Sequence, residues 1–156
     1  MRIMTKAFGE AEIDDSKKLH FENGIIGFPD MKDYVLLFDS EGEDEGKRAS
    51  VMWLQSTEEP MLALPVMDPL LVSDCYQPFF DAAVLSSLGE TREDLMVLCA
   101  LTVPSKIENM TMNQKAPILI NPATNKACQI ILENPELQIK YPVYEILKRR
   151  QEKASA

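Results

Sequence analysis

The chain is short of the residues that most metal and enzyme chemistry requires. His20 is the one histidine in 156 residues. That count excludes a Cys/His zinc site, a helical His-Glu-x-x-His motif and a multi-histidine iron site. The three cysteines, Cys75, Cys99 and Cys128, are odd in number, widely spaced and never arranged as Cys-x-x-Cys. In apolar or strand-like surroundings they read as buried, reduced thiols of a reducing compartment. Basic residues are outnumbered, 16 Lys and Arg against 25 Asp and Glu, for a formal charge of −9. Such a balance opposes the counterion-release attraction to a phosphate backbone, so direct nucleic-acid binding is not expected. Residues 1–6 lead into Gly, Glu and Asp and not into an apolar stretch, and no run is long and apolar enough to cross a bilayer. The expectation is a cytoplasmic protein with no membrane contact.

The composition, 46% hydrophobic and 26% charged, is that of an ordinary folded domain. A chain of this length buries roughly 68–70% of its unfolded surface, so no disulfide, metal or other cofactor is needed to hold a core. One domain over 1–150 and a disordered or frayed tail at 151–156 are expected. Short strands dominate the pattern. Residues 2–5 and 10–13 alternate polar and apolar around a Gly-containing turn and predict an opening hairpin. Leu19-His20-Phe21 leads to a structured loop at 23–30, where Gly24 and Gly27 permit positive φ and Pro29 stops a ladder. Residues 34–38, 51–56 and 62–67 read as strands, the first buried on both faces. Pro65 places the last on an edge or at a bulge. The acidic stretch 39–46 reads as a mobile loop. Helical spacing predicts a short helix over 78–89, with Pro near its start and Gly beyond its end. The apolar run at 95–103 fits a buried helix or a central strand by periodicity; its length and neighbours favour a strand after one helical turn. Further strands are expected at 111–113, 117–120 and 127–132, the last two joined by the turn residues of 121–126. A short helix after Pro142 closes the chain, with Lys148, Arg149 and Arg150 in its last turn against the macrodipole. The pattern predicts a mainly β fold, a small antiparallel β-barrel-like single domain with short peripheral helices.

The motifs that suggest chemistry have simpler readings. His20 lies between Leu19 and Phe21 in a strand-like setting, with no Gly-x-Ser-x-Gly elbow in the chain, so a half-exposed strand histidine is favoured over a catalytic one. The run from Gly42 to Arg48 is one residue short for a phosphate loop and carries three carboxylates where phosphates would sit. It also lacks the spacing of a calcium loop. Glu58-Glu59 and Glu93-Asp94 offer no local reason for separated pKa values and read as surface carboxylates. Trp53, Met52, Met61 and Met67 suit either core packing, the favoured reading, or an adaptable partner-binding face.

The ordered set Gly24-x-x-Gly27-Phe28, Trp53-Leu54-Gln55-Ser56, Glu58-Glu59-Pro60, Leu62-Ala63, Asp68-Pro69, Thr111-Met112-Asn113, Ala116-Pro117-Ile118-Leu119-Ile120-Asn121-Pro122 and Gln129-Ile130-Ile131-Leu132-Glu133-Asn134 resembles the flagellar assembly factor FliW family. It spans most of the chain up to Tyr144. The resemblance implies a β-barrel-like protein without enzymatic activity and a monomer when free. It implies two alternative protein partners, flagellin before export, in a chaperone-like role, and the dimeric translational regulator CsrA. Binding to CsrA relieves its repression of flagellin mRNA, and accumulating flagellin sequesters the factor, so translation follows export. Candidate partner-binding residues on these motifs are Phe28, Trp53, Gln55, Glu58, Glu59, Asp68, Asn113 and Asn134, with Gly24 and Gly27 as backbone devices. The chain departs from the family at Gln114-Lys115, where an apolar residue is expected, and in the acidic loop from Ser40 to Arg48. A small-ligand-binding β-barrel is the alternative function, and a hydrolase using His20 a third.

Overall fold

The computed structural model describes residues 1–38, 51–74, 76, 82–89 and 95–155, with the side chains of 151 and 153–155 left aside. The acidic loop, Cys75, and the expected helical turn before residue 95 lie outside the described residues. The alternating N-terminus forms β1 (Arg2–Thr5) and β2 (Gly9–Glu12), an antiparallel hairpin in register from Arg2↔Glu12 to Thr5↔Gly9. It is a two-stranded sheet of its own. Its inward face buries Ile3 and Thr5, while Arg2 and Glu10 pair across the outer face at 2.9 Å.

Seven further strands close a barrel. β3 (Leu19–Phe21), β4 (Asp33–Leu37), β5 (Met52–Ser56), β6 (Ala63–Met67) and β7 (Met96–Thr102) follow one another, and after β8 (Thr111–Met112) come β9 (Ile118–Asn121) and β10 (Lys126–Gln129). The wall runs β7-β6-β5-β4-β3-β10-β9, and β9 pairs back onto β7 to complete the ring. All these pairings are antiparallel except β3 with β10, which is parallel. The barrel is antiparallel as expected apart from this one seam, where its first and last strands meet. β8 and β9 lie along the same side of β7, and residues 113–117 bulge out between them opposite Cys99 and Ala100. β11 (Tyr141–Pro142) extends the wall beside β8.

Pro65 is not on a sheet edge, because β6 lies between β5 and β7. It pairs with Trp53 of β5, whereas the register with β7 covers only Val66 and Met67, so the missing N–H breaks no ladder on that side.

Two cores share these strands. Phe21, Tyr34, Leu54, Val66, Leu98 and Ile118 fill the barrel, with Phe21 and Tyr34 edge to face at 5.1 Å between ring centroids. Such a pair adds about 0.5–1.5 kcal/mol beyond its buried area. Met67, Tyr76, Cys99, Leu101, Met112 and Val143 form a second core outside the wall. Neighbours in a strand face opposite ways, so Val66 and Leu98 point into the barrel while Met67 and Cys99 point away from it. Both faces of β6 and β7 are thus covered, which explains apolar runs without alternation. Tyr76 donates its hydroxyl to the Gln114 carbonyl at 2.8 Å, and the Gln114 side chain accepts from the Gln138 amide at 3.3 Å. The polar Gln114 is tolerated in a buried position because its neighbours satisfy it.

The helices are peripheral. α1 (Ala82–Ser87) occupies part of the expected window, residues 77–81 being outside the described set. α2 (Tyr144–Ser155) packs Ile146 and Leu147 on the second core. It continues to Ser155, past the point where a frayed tail from 151 was expected, because Gln151-Glu152-Lys153-Ala154 contains no breaker. Arg150 is consequently in mid-helix and not in a last turn. It donates to the carbonyls of Leu70 and Leu71 and pairs with Asp74 at 2.9 Å.

Candidate functional site

Two surface features are built with more side-chain hydrogen bonding than packing requires. The first surrounds the β5–β6 connection. Gln55 is fully buried beneath it, with 0% exposure. Its Oε1 accepts from the Lys6 amide at 2.9 Å, which ties the turn of the N-terminal hairpin to the barrel. Its Nε2 lies within 3.0–3.4 Å of the carbonyls of Ser56, Glu59, Pro60 and Leu62. Above it, Ser56 Oγ accepts from the amides of Glu58 and Glu59, and the Glu59 carboxylate accepts from the Met61 amide. The result is a shaped loop presenting Glu58, Glu59 and a 67% exposed Met61, next to a hairpin turn carrying the exposed Phe8.

The second feature is a cleft of about 570 Å³ between the 22–29 loop and β10. Gly24 starts that loop at φ +65°, and a Cβ there would lie 2.3 Å from the Phe28 carbonyl oxygen. No side-chain residue fits, which explains the glycine. Ile25 is buried in the barrel core, and it exchanges backbone hydrogen bonds with Phe28. The Gln129 side chain spans the gap, accepting from the Ile26 amide at 2.8 Å and donating to the Ala116 carbonyl at 3.0 Å. Ile26 and Phe28 are left 55% and 44% exposed.

His20 stands on the rim of this cleft. Its Nδ1 is 2.8 Å from an Asp33 oxygen and its Nε2 3.3 Å from a Glu22 oxygen. The hydrogen bond to Asp33 is the main reason that its pKa is raised above the ordinary histidine value, with Glu22 acting in the same direction. Ser87, also in the cleft wall, donates its hydroxyl to the Val84 carbonyl, so the hydrolase reading finds no Ser-His pair here. Cys128 lines the cleft, but burial pushes its thiol up to about 11, and burial pushes that of Cys99 up to about 12. Neither is an activated nucleophile. Among the described residues, no cluster of three His, Cys, Asp or Glu is placed to hold a metal, and no helix is long and apolar enough to cross a membrane.

The eight residues singled out from the sequence do not form one patch. Glu58 and Glu59 share the first feature, and Gln55 lies under them as its support, out of reach of a partner. Phe28 stands exposed on the 22–29 loop but does not line the cleft. Trp53 is half-buried in the wall between Leu37 and Pro65. Asp68 accepts from the Leu70 amide at 2.9 Å and caps the 3-10 turn Pro69–Leu71. Asn113 accepts from the Lys115 amide in the bulge, and Asn134 donates to Glu136. These last three serve their own turns. The cleft residues Ile26 and Gln129 were not among the sequence candidates, although the two glycines at 24 and 27 marked the loop.

The family model described as FliW protein matches residues 2–143. The chain is 45% identical over 153 residues to a flagellar assembly factor FliW of Lachnospira eligens, covering 97% of this chain and 99% of that one. It is 46% identical over 154 residues to a protein of the same name in Lachnoclostridium phytofermentans, covering 98% of this chain and 97% of that one. Among solved structures, a crystal structure of the flagellar assembly factor FliW superposes with a TM-score of 0.81 at 31% identity, covering 91% of this chain and 96% of that one.

Proposed function

The chain belongs to the FliW family of flagellar assembly factors, and from that premise we propose that it works by direct binding of two protein partners, flagellin and the translational regulator CsrA. In this reading it is a cytoplasmic, non-enzymatic factor. Bound to CsrA, it relieves repression of flagellin translation; bound to flagellin, in a chaperone-like complex, it is withdrawn from CsrA. Flagellin synthesis is thereby coupled to export. The observation that carries the reading beyond the family name is the character of the surface. Phe8, Ile26, Phe28 and Met61 are exposed apolar residues on a chain of net charge −9, and Met61 sits against the Glu59 carboxylate. Apolar anchors with an acidic surround suit protein partners with basic surfaces, and the charge speeds their encounter. It would also repel RNA from an occupied CsrA complex.

The barrel interior argues against a ligand carrier. It is filled by Phe21, Tyr34, Leu54 and their neighbours, and the described cleft lies at the wall between β10 and a loop. The test is translation of a flagellin message in a purified system. Adding CsrA should repress it, adding this protein should restore it, and adding folded-competent flagellin monomer should return the repression. Repression that this protein does not relieve would overturn the reading.

A further inference from the structure

The turn of the first hairpin and the β5–β6 connection are fastened to each other from below. Gln55 Oε1 accepts from the Lys6 amide at 2.9 Å, and its Nε2 faces the carbonyls of Glu59 and Pro60 at 3.4 and 3.2 Å. One buried side chain therefore spans both segments. Each is also fixed within itself. Thr5 Oγ1 accepts from the Phe8 amide at 3.0 Å and donates to the Gly9 carbonyl at 2.7 Å, while Ser56 Oγ accepts from the Glu58 and Glu59 amides. What these bonds hold out to solvent is apolar. Phe8 is exposed in the hairpin turn and Met61 at the end of the loop, and neither belongs to the two cores. Glu58 and Glu59, beside Met61, are exposed and make no ion pair among the described residues, whereas Glu10 and Glu12 of the hairpin are taken up by Arg2 and the N-terminal ammonium. Lys6 is the one cation in residues 5–9 and 56–62, so the two segments together are negative.

We propose that the hairpin turn and the β5–β6 loop form one docking surface, with Phe8 and Met61 as its apolar anchors and Glu58 and Glu59 as its charged border. Its occupant is a protein face that carries an apolar groove edged by lysine or arginine. The proposal rests on the reading that this protein acts by binding a protein partner. A backbone already held by Gln55, Thr5 and Ser56 has little conformational freedom left to lose on binding, and that preorganisation raises affinity. A few well-buried apolar side chains supply most of the free energy of an interface, while charges around them steer the encounter and exclude wrong partners. Glu58 and Glu59 have no cation of their own chain to satisfy them, so a partner's lysine or arginine meets an open position. A second copy of this chain is a poor occupant, because it would set the same carboxylates against one another. The 22–29 loop, with its exposed Ile26, is tied to β10 through Gln129 and stands outside this surface.

The test is titration of full-length variants with CsrA and with flagellin, joined to NMR of methionine methyl groups in the wild-type chain. Phe8→Ala combined with Met61→Ala should weaken at least one partner by more than about tenfold. Glu58→Gln combined with Glu59→Gln should flatten the salt dependence of that partner's affinity, and Ile26→Ala should leave it within about twofold. All these positions are exposed, so the melting temperature should not move. In the wild-type protein the Met61 methyl signal, assigned with Met61→Leu, should shift when that partner is added. The signal of Met96, exposed at the end of β7 beyond its pairing with Met67, should stay in place. Both partners binding the Phe8 and Met61 double variant at full strength, with the wild-type Met61 methyl unmoved, would overturn the proposal and leave the proposed function standing. A salt dependence that the carboxylate variant does not alter would overturn the basic character of the occupant. Binding of neither partner to the wild-type chain would overturn the functional reading and this proposal with it. A Met61 signal that shifts with the concentration of the free protein alone would make the occupant a second copy and overturn the proposal as well.

Discussion

Replacing Gln55 by Ala should destabilise the protein far more than removal of a surface polar residue and should weaken partner binding without touching a partner. The Oε1 atom satisfies the Lys6 amide, and Nε2 faces four carbonyl oxygens. An amide nitrogen carries two protons, so at most two of those carbonyls are well served at once. Three hydrogen bonds at about 1 kcal/mol each give a loss of about 3 kcal/mol. For a chain of this size that is a fall in Tm of roughly 6–12 °C. Gln55→Glu sharpens the test. It keeps the shape but points a carboxylate at carbonyl oxygens, which favours its protonated form. A folded pKa raised in this way makes the penalty smallest below the unfolded pKa of about 4.3 and largest once pH has risen through the folded value. Urea unfolding of both variants against wild type at pH 5 and pH 8 reads this directly. A loss below about 1 kcal/mol for Gln55→Ala, or a Gln55→Glu penalty that does not grow with pH, would refute the assignment of Gln55 as the organiser of this loop.

Other expectations follow from the same structure. Gly24→Ala should cost several kcal/mol on the order of a severe core defect, because its Cβ meets the Phe28 backbone at 2.3 Å, whereas Gly27→Ala has open space and should cost only about 1 kcal/mol of backbone strain, a difference that denaturant titration resolves. His20 has a raised folded pKa, so its stabilising contribution is complete below about pH 6.5 and is lost as pH rises through the folded value. His20→Gln should remove that pH dependence, and an NMR titration of the wild-type imidazole with a midpoint below 6.5 would contradict the Asp33 hydrogen bond. Reversing Glu58 and Glu59 to Lys should slow association with CsrA and flatten its salt dependence in stopped-flow measurements. An unchanged on-rate would remove that loop from the steering surface.

Much of the fold was legible because it is written locally. Asn121, Pro122 and Asn125 mark the β9–β10 turn, Asn125 adopting φ 59°, and the alternation of residues 2–5 marks the first hairpin. The closure of the barrel was not legible. It depends on β3 meeting β10 in parallel, a pairing between segments about a hundred residues apart that no local pattern encodes. Burial on both faces of β6 and β7 removed the alternation that identifies a strand, which is why residues 95–103 fit a helix as well. The length of α2 was underread for the opposite reason: its last residues are polar and carry no stop signal. At the candidate site, glycines and paired glutamates stood out in the sequence, but the roles of Gln55 and Gln129 did not. A glutamine that is buried to support a loop and one that bridges a cleft look alike until the tertiary contacts are known.

The central claim is that this chain is a protein-binding switch between two partners. Calorimetric titration with CsrA, alone and then with flagellin already saturating the protein, tests it most directly, run at two temperatures so that a vanishing enthalpy is not mistaken for no binding. The account predicts tight binding to CsrA that flagellin abolishes. Heat with neither partner at either temperature, or binding to CsrA that is indifferent to flagellin, would contradict it.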